Sequence, residues 1–150
     1  MVTRLAEAFD MAQYFDSPIA TLSLGMKQKV ALIAALLHHP PVLLLDEPLN
    51  GLDAKSSRIV KELVTFHRQT GGAVLFSTHI MEVAEHLCTR IGIIDQGRVI
   101  AEGTLDQLRG KAEGQGETLE DVFLKLTHEA MEVVETTRRL REVFVQDEAG

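Results

Sequence analysis

The sequence predicts an α/β fold with a parallel sheet, on three observations. Two short unbroken apolar runs, Val42-Leu43-Leu44-Leu45 and Ala73-Val74-Leu75-Phe76, have the pattern of fully buried parallel strands. A third strand is predicted over Arg90 to Ile94. Segments with helical periodicity alternate with these runs, which implies strand–helix–strand units and right-handed crossovers.

The elements follow in order. Leu5, Ala8, Phe9 and Ala12 recur at helical spacing between Arg4 and Tyr14, and Asp16-Ser17-Pro18 breaks that segment. A helix rich in Ala and Leu starts after Ser23, its N-cap, and runs to about His38. Pro40-Pro41 stops it, because proline lacks the N–H and disfavours helical conformation in the residue before it. Asp53 precedes a helix from Ala54 to Gln69, which Gly71-Gly72 ends. A helix over Met81 to Leu87 precedes the third strand, and Asp95-Gln96-Gly97-Arg98 reads as a hairpin turn into Val99-Ile100-Ala101. Thr104 with Gln107 forms a capping box. Lys111 to Gly116 reads as a polar loop, and Thr118 caps an amphipathic helix expected to reach about Leu140. Residues Gln146 to Gly150 are expected to fray.

Composition narrows the function classes. A 150-residue chain can bury a real core, and 45% apolar with 25% charged residues suits a globular domain. The formal net charge of −7 opposes a general nucleic-acid binder, whose footprint is basic. The one cysteine, Cys88, forms no internal disulfide, which suits a reducing compartment. The amino terminus lacks the order of a signal peptide, and no apolar run approaches membrane-spanning length. A cytoplasmic location is the expectation. Isolated histidines and one cysteine supply no cluster for a metal held by protein ligands alone.

Asp46-Glu47 follows the first strand directly. Ligands of open α/β sheets bind beyond the carboxyl ends of strands, so both carboxylates face a site. Such a pair suits a Mg²⁺-phosphate reaction, in which one carboxylate holds the hydrated metal and the other orients or deprotonates water. Taken alone, a helix-capping acid and a solvated glutamate would explain the same two residues.

The neighbours supply the order of a family. Leu22-Ser23-Leu24-Gly25-Met26-Lys27-Gln28-Lys29 lies one helix before the strand. Asp46-Glu47-Pro48 is followed by Leu49-Asn50-Gly51-Leu52-Asp53, and Ser77-Thr78-His79 ends the next strand. This order resembles the ATP-binding cassette (ABC) family: signature motif, Walker B, D-loop and switch histidine, over about Leu5 to Thr127. Leu24 and Met26 depart from the commonest signature, and Ser23 and Gly25 keep it. Such variants, with Thr118-Leu119-Glu120-Asp121-Val122-Phe123, resemble bacterial export and drug-resistance cassettes.

The resemblance implies the carboxyl-terminal portion of an ABC-type P-loop ATPase. It divides the chain into the end of a helical subdomain with the signature helix (1–38), core strands and helices (42–103), a helical segment (104–145) and a tail (146–150). The cofactors implied are ATP and Mg²⁺. Asp46 would hold Mg²⁺ through water, Glu47 would be the general base, and His79 would bond the γ-phosphate. Ser23 and Gly25, at a helix start favourable to anions, would meet the ATP of an opposite subunit. Asp53 would cross that dimer interface, cap its own helix, or do both. The partners implied are a second cassette and a transmembrane permease, which would place the protein on the inner membrane face.

No Gly-x-x-x-x-Gly-Lys-Ser/Thr loop occurs in these residues. By the resemblance, that loop would lie before Met1. Two expectations follow: the 150 residues alone do not hydrolyse ATP, or they act as a non-catalytic interaction fragment of a cassette. A third concerns the sheet. In the family, the strand leading into the loop lies between those ending at Phe76 and covering Ile91 to Ile94. Without it, the isolated polypeptide is expected to form oligomers or to be poorly soluble.

Overall fold

The computed structural model describes residues 2–113, 116–127 and 129–147, which group into two compact units, Met1–His79 and Ile80–Gly150.

The first unit contains helices α1 (Val2–Ala8), α2 (Leu24–Leu36) and α3 (Ala54–Gln69) with strands β1 (Val42–Leu45) and β2 (Ala73–Phe76). The strands pair in parallel, with Val42 opposite Ala73 and Leu45 opposite Phe76. Phe9, Leu22, Leu32, Ile33, Val60 and Val64 are buried in its core. The opening helix is shorter than its periodicity predicts. Asp10 adopts a left-handed conformation (φ 56°), and Met11 N–H bonds the carbonyl of Ala6 at 2.7 Å, which closes the helix. Residues Ala12–Tyr14 form only a 3-10 turn. The end of α3 matches expectation: Gly71 lies at φ 90°, and Gly72 N–H reaches the His67 carbonyl at 2.9 Å.

The strands are not fully buried. Leu43 is buried and Leu45, Val74 and Phe76 are partly so, while Val42, Leu44 and Leu75 are exposed, Leu44 by 72%. A strand's side chains alternate between two faces, so the apolar run serves both faces of the sheet. Only one of them is covered. Burying an apolar side chain of this size is favourable by about 1.5–3 kcal/mol. The 150-residue polypeptide is therefore expected to self-associate, and sedimentation equilibrium checks this. A monomer unfolding in one cooperative transition would contradict it.

The second unit contains α4 (Met81–Leu87), the strands β3 (Ile91–Asp95) and β4 (Arg98–Gly103), then α5 (Leu105–Lys111), α6 (Leu119–Leu126) and α7 (Ala130–Asp147). The two strands form an antiparallel hairpin, a separate sheet from the parallel pair. Its turn has Gln96 at φ 46° and Gly97 at φ 76°, the two positive angles a tight hairpin needs. The expected capping box of Thr104 with Gln107 forms, and Thr118 makes a second one with Asp121. The helix begun at Thr118 does not continue to Leu140. Thr127 Oγ1 donates to the carbonyl of Phe123, and Glu129 N–H bonds the carbonyl of Leu124, so the segment divides into α6 and α7. Helix α7 reaches Asp147, two residues into the segment set apart as a tail. His128 and residues 114, 115 and 148–150 lie outside the described set.

Glu85 is a polar organiser that periodicity does not show. Its Oε2 accepts the N–H of Leu119 at 2.9 Å, and its Oε1 accepts an Arg109 N–H at 3.2 Å. Arg109 Nε donates to the Glu117 carbonyl at 2.7 Å, so one pair of charges ties α4, α5 and the start of α6. Leu108, Leu119 and Val122 are buried beside it. Among the described residues, no helix is long and apolar enough to cross a membrane.

Candidate functional site

All six residues singled out from the sequence lie in the first unit. Asp46 and Glu47 follow β1, and Ser77 and His79 follow β2, so the parallel pairing brings both strand ends to one edge. Ser77 joins them. Its Oγ donates to Asp46 Oδ1 and accepts the N–H of Glu47 at 3.0 Å. Glu47 lies in the left-handed region (φ 43°), an unfavourable conformation for a non-glycine residue that surrounding bonds must sustain. Here its N–H is held by Ser77, and its carbonyl accepts Gln28 Nε2 at 3.4 Å.

This backbone geometry aims the Glu47 side chain. Its Oε1 lies 3.0 Å from His79 Nδ1, so a carboxylate and an imidazole are in hydrogen-bonding contact. The Glu47 side chain is partly buried, whereas that of His79 is largely exposed. Asp46 is exposed, with Ser77 fixing one of its oxygens. A single hard oxygen ligand of this kind fits a magnesium ion that keeps most of its waters. Among the described residues, no three histidine, cysteine or acidic side chains gather into a metal cluster.

Ser23 caps α2, its Oγ accepting the N–H of Met26 at 3.2 Å. Asp53 caps α3, its Oδ1 accepting the N–H of Ser56 at 2.8 Å. Gly25 has a packing duty inside the chain. A Cβ there would lie 2.3 Å from the Gly51 carbonyl oxygen, and Gly51 is itself left-handed at φ 72°. The start of α2 therefore rests on the loop after β1.

Ser77, Gln28 and Lys29 received no separate role from the sequence, although all three lie inside the quoted motifs. Their partners are 30, 19 and 24 residues distant, beyond the reach of local pattern.

Comparison with known proteins agrees with the family resemblance. A family model described as "AAA domain, putative AbiEii toxin, Type IV TA system" matches residues 10–85. The chain is 40% identical over 104 residues to the ABC transporter ATP-binding protein NatA of Bacillus subtilis, covering 69% of this chain and 42% of that protein. A solved ATP-binding subunit of an ABC transporter superposes with a TM-score of 0.80 at 36% identity, over 84% of this chain and 52% of that one. The dimeric post-hydrolysis state of the cassette MJ0796, bound to ADP and Pi, matches with a TM-score of 0.60 at 30% identity, over 69% and 44%. The chain thus spans about half the length, or less, of these relatives. With half its residues under the AAA-domain model and its sequence and fold shared with ATP-binding cassettes, the chain belongs to these ATPase domains.

Proposed function

We propose that this segment supplies the water-activating side of an ATP-hydrolysing site in an ABC transporter subunit, and presents a signature helix to a second cassette. The observation that carries the reading is the linked set at the two strand ends: Ser77 bridging Asp46 and Glu47, with His79 3.0 Å from the Glu47 carboxylate. Phosphoryl transfer asks a protein mainly for positioning and electrostatic stabilisation, and this edge offers both.

In this reading, Glu47 takes the proton from the attacking water. Its left-handed backbone, pinned at both N–H and carbonyl, holds the carboxylate in place. His79 orients that carboxylate before reaction and offers a hydrogen bond to a γ-phosphate. Asp46 and Ser77 would hold hydrated Mg²⁺, which when bound neutralises charge on the phosphates. Ser23 and Gly25, at the amino terminus of α2, offer a hydroxyl and backbone N–H groups to a phosphate from the opposite cassette. A transmembrane permease would be the further partner, placing the subunit on the inner face of the membrane.

The trans arrangement has a direct test in a cassette that carries this segment together with a phosphate-binding loop. Ser23→Arg disables what a protomer lends, and Glu47→Gln disables what it keeps. Each variant alone is expected to be nearly inactive. Mixed, they form heterodimers with one site intact in both respects, so MgATP turnover recovers. A mixture as inactive as its parents would place Ser23 and Glu47 in the same protomer's site and overturn the reading.

A further inference from the structure

Lys29 has no part in the chemistry above, and its surroundings are unusual for a lysine. It lies in the second turn of α2 with its side chain only 12% exposed. Lysine is almost never deeply buried unless it is paired. Its Nζ is 2.9 Å from Asp53 Oδ2.

Asp53 is committed from several sides at once. Beyond Lys29, its Oδ1 accepts the N–H of Ser56 and its Oδ2 accepts Ser56 Oγ, both at 2.8 Å. Ser56 is itself buried. The hydrogen bond from Lys29, followed by those from Ser56, holds the Asp53 carboxyl well below the usual carboxylate range.

Two more contacts run between the same segments. The Gly25 backbone sits against the Gly51 carbonyl, and Gln28 donates to the carbonyl of Glu47. The start of α2 and the loop over residues 47–53 are thus joined at three successive points. The ion pair is the only one of the three that carries charge.

We propose that Lys29 is a positioning residue whose ion pair with Asp53 clamps the signature helix to the loop over residues 47–53, fixing Ser23 relative to Glu47. The functional meaning of those two residues rests on the ATPase reading; the clamp itself does not. Asp53 then works within its own chain.

The test uses the 150-residue chain without nucleotide. The Asp53 carboxyl is titrated by carbon-13 NMR, and hydrogen exchange is followed at the Asn50 and Leu52 amides, which bond to the carbonyls of Glu47 and Leu49. In Lys29→Met, the Asp53 titration is expected to move up toward the ordinary aspartate value. Exchange at the two amides should accelerate about two- to fivefold, the worth of an ion pair whose carboxylate is 56% exposed. Lys29→Arg should restore both readouts. A folded Lys29→Met chain with unchanged titration and exchange overturns the proposal, as does an arginine variant that behaves like methionine. Should Lys29→Met not fold, Asp53→Asn keeps the helix cap and removes the charge. It should accelerate the same amides, and unchanged exchange there also overturns the clamp. Because nucleotide is absent, failure here leaves the ATPase reading standing, and an inactive cassette would leave the clamp standing.

Discussion

Glu47→Gln is expected to lower MgATP turnover by roughly 10²–10⁴-fold, the usual worth of a general base, while ATP binding is retained. The substitution is close to isosteric. Glutamine cannot accept the water's proton as a carboxylate can, yet its amide oxygen still accepts a bond from His79. The backbone contacts that hold this position, Ser77 Oγ to the Glu47 N–H and Gln28 to its carbonyl, do not involve the altered side chain. The loop should therefore keep its shape. The measurement is steady-state phosphate release beside equilibrium ATP binding, in a cassette that contains this segment. Turnover within a few-fold of the parent would move the base role to another residue. Loss of binding together with turnover would make Glu47 a structural residue.

Gly25→Ala is expected to destabilise the first unit and to disable the signature helix. At an ordinary helical position the exchange would stabilise, because alanine exceeds glycine in helix propensity by about 1 kcal/mol. Here the added methyl meets the Gly51 carbonyl oxygen at 2.3 Å, well inside contact distance. The obstacle is backbone, so no side-chain rotation relieves it. Either α2 backs away from the loop or Gly51 leaves its conformation at φ 72°, and overpacking of this kind costs about 1–3 kcal/mol. Both routes also strain the Lys29–Asp53 pair and the Gln28–Glu47 bond. Urea unfolding of the 150-residue chain reads the effect as a lower midpoint at unchanged slope. A raised midpoint would mean that propensity prevails and that the close approach to Gly51 is absent.

The sequence by itself determined those features that depend on neighbours in the chain. Ser23, Asp53, Thr104 and Thr118 are N-caps because each side chain reaches a backbone N–H three residues on, a distance any helix start provides. Pro40-Pro41 after α2, Gly71 and Gly72 after α3, and the Gln96-Gly97 turn follow from the allowed dihedrals of single residues. The order of Ser23, Asp46-Glu47, Asp53 and His79 along the chain placed it among cassettes. Tertiary structure decided what depends on residues distant in sequence. Periodicity marked Val42 to Leu45 as apolar throughout, but it could not tell which face of the sheet would be covered. Asp10 and Thr127 interrupt helices through hydrogen bonds that compete with a periodic pattern running past them. Glu47 is held in a left-handed conformation only because Ser77 and Gln28 arrive from other elements. Lys29 meets Asp53, and Gly25 meets Gly51, because α2 lies across the loop after β1. Such contacts join residues 19 to 30 positions apart, and their energies depend on packing geometry that no local pattern encodes.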